Sequence, residues 1–111
     1  MERSRIVIMA ACSAVLFMLA VGMMSDSHAE GKTGEALFKQ HCSLCHPDGG
    51  NIVNPQKTLS KKDREKSGIK SKDDIVKAMR KPGPGMTPFD DKTISEKDAK
   101  EIAEYVMKKF K

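Results

Sequence analysis

Cys42-Ser43-Leu44-Cys45-His46 constrains this chain more than any other stretch. Two thiols three residues apart, followed at once by an imidazole, form the pattern that attaches a c-type haem. The spacing follows from the chemistry. Two sulfurs form thioethers with the vinyl groups along one porphyrin edge, and the next residue swings beneath the iron, so His46 is expected as the proximal axial ligand. A Cys-x-x-Cys pair can also be a thiol redox pair or half of a zinc site. A zinc site needs about four ligands, and the other candidates in reach, His41 and His46, are too close in sequence to complete a tetrahedron. A thioredoxin-like pair calls for a βαβ context, and no strand pattern flanks this one.

The chain opens with Arg3 and Arg5, an almost wholly apolar run from Ile6 to Met24, and Ser27-His28-Ala29. This reads as a secretory signal cleaved after Ala29; a retained membrane anchor is the rival reading, given the length of the apolar run. Cys12 lies inside that run and reads as leader filler. Residues 30–111 then form one small domain of 82 residues, marginal in size without a staple. That part contains no Trp, one Tyr (Tyr105) and three Phe (Phe38, Phe89, Phe110). A covalently held porphyrin would supply the missing apolar volume, and thioether attachment outside the cytoplasm agrees with export. The expected location is the periplasm, with no stable membrane insertion once the signal is removed.

Thr33 is a plausible N-cap for a helix running from Gly34 toward the haem motif, with Leu37, Phe38 and Leu44 as its large apolar residues. After His46 the chain turns through Pro47-Asp48-Gly49-Gly50-Asn51, and Pro55 stops regular structure across Asn54. A backbone carbonyl from this loop is expected to accept a hydrogen bond from the outer ring nitrogen of His46. Thr58 or Ser60, with Asp63, opens a short polar helix expected on the surface, offering the core only Leu59 and Ile69. Ser71 with Asp74 opens the next, its stripe of Ile75, Val76, Ala78 and Met79 facing inward and its end near Lys81, ahead of Pro82 and Pro84. The last helix opens at Ser95 with Asp98 and carries Ala99, Ile102, Ala103, Val106 and Phe110 on one face, with acids in its first turn and lysines in its last.

Between the last two helices runs Lys81-Pro82-Gly83-Pro84-Gly85-Met86-Thr87-Pro88-Phe89. Three prolines and two glycines make an extended loop from which one thioether projects. Met86 is therefore expected as the second axial ligand, while Met79 and Met107 sit at helical spacing and read as packing. His41 precedes Cys42 on the proximal side.

Over nearly all of residues 30–111 the chain resembles the class I c-type cytochromes. That resemblance implies an all-α fold of about four helices around one covalently bound haem c. The first and last helices cross where Gly34 and Phe38 meet Ile102 and Tyr105. In the loop after the motif, Asn51, Val53, Pro55, Lys57, Thr58 and Leu59 look like the small c-six type of cyanobacteria and algae and related bacterial proteins, with Asn51, Pro55 and Lys57 supporting the haem loop. That type carries Met-Pro; Met86-Thr87-Pro88 has one residue between them, a departure that touches loop geometry and haem potential rather than the ligand.

A haem iron closed by His46 and Met86 disfavours substrate binding and leaves one-electron transfer, so the chain is expected to be a monomeric carrier and not an enzyme. Residues 57–81 hold ten basic residues against four acidic ones, within a chain of net charge +5. A basic face suits redox partners with acidic docking surfaces; nucleic acid is not an expected partner. The alternatives are a cytochrome subunit of a larger redox enzyme and an open-site haem sensor or peroxidase.

Overall fold

The computed structural model describes residues 32–111. The leader and its cleavage point lie outside the described residues. Among the described residues there are four α-helices and no strands: α1 (Gly34–His41), α2 (Lys61–Lys66), α3 (Lys72–Arg80) and α4 (Glu96–Lys109), with a 3₁₀ turn at Pro47–Gly49. The all-α expectation is met.

Short polar residues start all four helices. Thr33 accepts from Ala36 N–H, Ser60 from Asp63 N–H, Ser71 from Asp74 N–H and Ser95 from Asp98 N–H, each pairing one of the donors a helix start leaves free. At Ser71 the capping box is complete, the Asp74 carboxylate accepting in return from the Ser71 N–H at 3.0 Å. Asp63 behaves differently: its carboxylate accepts from the Thr58 hydroxyl at 2.6 Å and the Thr58 N–H at 3.2 Å. Thr58 thus ties the loop to α2 while Ser60 caps it.

The core gathers Leu37 and Phe38 of α1, Ile75, Val76 and Met79 of α3, and Ala99, Ile102, Ala103 and Val106 of α4, together with Ile94. Where α1 crosses α4, Gly34 is buried against the Glu101 carbonyl, and a Cβ there would stand 3.0 Å from Tyr105 Cβ. The Phe38 and Tyr105 rings lie 5.4 Å apart, and Phe110 completes a three-ring cluster at 5.5 Å from Phe38 and 6.1 Å from Tyr105. The rings are tilted or edge-on, as their quadrupoles favour.

Two expectations are corrected. Leu44 is not a core residue of the first helix: α1 ends at His41, and Leu44 is 86% exposed on the turn between the two cysteines. Helix α2 is not a purely surface helix, because Arg64 is only 5% exposed. Its Nε donates to Leu59 O at 2.8 Å and its Nη2 to Phe110 O at 3.2 Å. The buried cation is tolerable because backbone carbonyls receive its protons.

Candidate functional site

The site begins where α1 ends. Cys42 N–H closes on Phe38 O at 2.8 Å, and the N–H groups of Cys45 and His46 both return to Cys42 O, at 3.2 and 2.9 Å. This tight curl sets the two thiols and the imidazole on one turn. A second turn follows, with Asp48 at φ +50° and Gly49 at φ +79°. Gly49 needs its missing side chain twice: for the left-handed backbone, and because a Cβ there would press 2.5 Å from the Phe110 ring.

That second turn brings Gly50 O to 2.7 Å from His46 Nδ1. A carbonyl can only accept, so Nδ1 carries the proton and the Nε2 lone pair is left for a metal. Leu59 N–H donates to Gly49 O at 2.7 Å, so this loop is anchored through the N–H of the residue whose carbonyl Arg64 grips.

Beside this loop lies a cavity of about 420 Å³ lined by Cys42, His46, Asn51 and Lys57 from the first half and by Met79, Met86, Ile102 and Val106 from the second. Such a volume falls within the ~300–1,000 Å³ of cofactor pockets. Phe38, Leu59, Ile69 and Ile75 make most of the remaining wall apolar. Asn51 is held rigidly: its side-chain amide donates to Lys57 O at 2.9 Å, and its Oδ1 accepts from the N–H groups of Val53 and Asn54 at 3.0 and 2.9 Å. Pro55 is exposed and does not line the cavity; it sits second in a turn closed by Lys57 N–H to Asn54 O at 2.9 Å, a position its fixed φ suits. Cys45 is exposed and also stands outside the lining, while Gly34 and Tyr105 belong to the helix crossing behind it. Sequence reasoning missed Arg64 on the cavity wall, for a lone arginine in a lysine-rich helix carries no signal of burial.

Among the other candidates, Met79 is buried and reaches the cavity wall from α3, whereas Met107 does not. His41 is half-buried with its ring edge-on to Phe89, centroids 6.2 Å apart.

The donor set fits a covalent haem and not its rivals. Burial, with Cys45 nearby, pushes the Cys42 thiol up to about 11; a thiol redox pair requires the opposite shift. Among the described residues no group of three or more His, Cys, Asp or Glu side chains converges on a point, as a zinc site requires.

Comparison with known proteins agrees. Residues 29–106 match the family model described as cytochrome c oxidase, cbb3-type, subunit III. The chain is 36% identical over 90 residues to cytochrome c6 of Rippkaea orientalis, covering 81% of this chain and 78% of that one. It is 38% identical over 74 residues to cytochrome c6 of Microcystis aeruginosa, covering 67% and 90%. The chain belongs to the class I monohaem c-type cytochromes. Its fold is similar to that of OmcF, outer membrane cytochrome F of Geobacter sulfurreducens, at 46% identity and a TM-score of 0.69, covering 70% of this chain and 99% of that one. As a c-type cytochrome it is an electron-transfer protein with one covalently bound haem c.

Proposed function

We propose that this cytochrome is an exported one-electron carrier whose haem is held by thioethers to Cys42 and Cys45, with His46 and Met86 as the two axial ligands. The observation that carries the reading is the shared cavity. Cys42, His46 and Met86 all line it, and His46 has one ring nitrogen committed to Gly50 O and the other free. The haem, when bound, supplies a one-electron couple, and a His/Met ligand pair raises its potential. The protein's part is to fix the imidazole through Gly50, to present a thioether from the distal loop, and to line the pocket with apolar side chains that exclude water.

The leader is removed after Ala29, and residues 30–111 act as a monomer in the periplasm; the basic, apolar and small-residue segments of residues 1–29 support the export. OmcF is named for the outer membrane, so cell fractionation with the mass of the purified protein decides between a free and a membrane-held form. The partners are redox proteins with acidic docking faces, a reading supported by the exposed Lys57 and Lys81 at the cavity. A second reading, a subunit docked in a larger oxidase, draws on the family model's description; co-migration with a large complex in native extracts would favour it.

The test of the ligand set is the visible spectrum of the purified protein, oxidised and reduced. The weak long-wavelength band of methionine on ferric haem should be present, survive Met79→Leu and vanish in Met86→Ala. Its absence from the parent, with ready carbon monoxide binding by the ferrous form, would overturn the closed His46/Met86 site.

A further inference from the structure

The loop that carries Met86 is held from its two ends. Pro82, Pro84 and Pro88 have no N–H to donate, and the backbone bond inside the loop, Met86 N–H to Gly83 O, is long at 3.5 Å. Its closure is made instead at the end of α3. Phe89 N–H donates to Met79 O at 2.9 Å. Arg80 Nη1 donates to Phe89 O at 3.1 Å and to Ile94 O at 2.8 Å. Arg80 Nη2 meets Asp91 Oδ1 at 2.9 Å and Glu96 Oε2 at 3.4 Å.

We infer that Arg80 is the positioning residue for Met86, a latch that joins the two ends of the distal loop and sets how readily its thioether is displaced from the cavity. The inference rests on the reading of Met86 as an axial ligand. The guanidinium is suited to this because one planar group reaches two carbonyls and two carboxylates at once. The carboxylates are 80% and 58% exposed, so those ion pairs contribute little. The weight falls on the bonds to Phe89 O and Ile94 O, made by a side chain only 20% exposed. Phe89 O fixes where the loop ends. Ile94 O ties that point to the start of α4, whose buried face includes Ile102 and Val106 on the cavity wall. With the latch gone, residues 81–88 keep only the Met79–Phe89 bond at their far end.

The test uses the full haem-loaded chain and four variants: Arg80→Leu, Arg80→Lys, Met86→Ala and Ala103→Gly. Ala103 is fully buried in α4 and absent from the loop and cavity lining, so its glycine variant lowers overall stability without touching the latch. For each, the affinity of the ferric protein for added imidazole, the long-wavelength band and the urea midpoint are measured. Arg80→Leu should bind imidazole about tenfold more tightly or better, since charge-assisted bonds are lost from the closed loop alone. Arg80→Lys, which keeps the charge but not the fork, should fall between, and it carries the test if Arg80→Leu does not fold. Ala103→Gly should lower the urea midpoint and leave imidazole affinity within about twofold. Unchanged affinity in the Arg80 variants, or a gain in Ala103→Gly equal to theirs at the same loss of midpoint, would overturn the latch. Retention of the band in Met86→Ala would instead remove the ligand reading beneath it.

Discussion

Gly34→Ala places a methyl group where the fold has no room for one. Its Cβ would fall on the Glu101 carbonyl oxygen, 2.9 Å from the carbonyl carbon and 3.0 Å from Tyr105 Cβ. The oxygen and carbon are backbone of α4, so no rotamer change relieves the clash and the helices must move apart. Restoring carbon–carbon contact to ~3.5 Å needs a shift of at least about 0.6 Å, and a gap of that size forfeits roughly a quarter to a half of each dispersion contact across the interface. Overpacking of this kind costs about 1–3 kcal/mol, and loosening the Phe38–Tyr105 pair about 0.5–1.5 kcal/mol more. The stiffer unfolded chain returns about 0.4–1 kcal/mol. The net is a loss of about 2–3 kcal/mol, a large share of the ~4–12 kcal/mol a domain this size has. Thermal unfolding of the haem-loaded protein, followed by far-ultraviolet circular dichroism, should show Tm lowered by roughly 10–20 °C. Lys97→Ala is the control, since Lys97 is exposed on α4 and lies away from the crossing and the cavity. A Tm loss below about 4 °C in Gly34→Ala, or an equal loss in Lys97→Ala, would refute the close-approach argument.

Gly85→Ala should strain the distal loop rather than the core, because Gly85 has φ +93° and a Cβ there would stand 2.8 Å from Val53 Cγ1. A cost of about 1–2 kcal/mol should appear as tighter imidazole binding with a smaller change in urea midpoint than Gly34→Ala gives. Phe110→Ala removes the ring resting on Gly49 and on Phe38; for a half-buried ring about 2 kcal/mol is expected in urea unfolding, below the ~3–5 kcal/mol of a fully buried one. Acid should destabilise the fold through Asp63 and Asp74. The Thr58 hydroxyl and N–H hold the Asp63 carboxyl below the usual range, and the N–H of Lys70 with Ser71 does the same for Asp74. A depressed folded pKa means that the unfolded chain takes up the proton first, so this stability is fully present above about pH 4 and is lost as pH falls through the folded values. The urea midpoint should fall as pH drops below about 4, and less steeply in Asp74→Asn, whose amide oxygen keeps the cap.

Much of the fold is legible because local chemistry writes it. Ser60, Ser71 and Ser95 announce their helices through caps, and the stripes of α3 and α4 follow the helical period. Ile94, 1% exposed, escaped that reading because it lies outside any periodic stretch. Its signal is its place just before the Ser95 cap, where an apolar residue folds back on the first turn. Leu44 misleads in the opposite way, since an apolar residue between two cysteines resembles a continuing stripe when the backbone has already turned. The turn of residues 47–50 and the carbonyl it offers His46 could be anticipated from Pro, Asp and Gly chemistry. The buried Arg64 and the bonds of Arg80 to Phe89 O and Ile94 O could not, because these acceptors are main-chain carbonyls up to 46 residues away, and main-chain groups leave no mark in side-chain identity.

The crossing of α1 on α4 also says something about how the molecule assembles. Gly34 meets Glu101 and Tyr105 across about 70 positions of chain, and the Phe110 ring closes on Gly49 over about 60. Contacts of such separation demand loop-closure entropy before they return any packing energy. The turn that aims His46 rests on a ring from the far end of the chain, so the imidazole is held in its orientation only where the two ends have met.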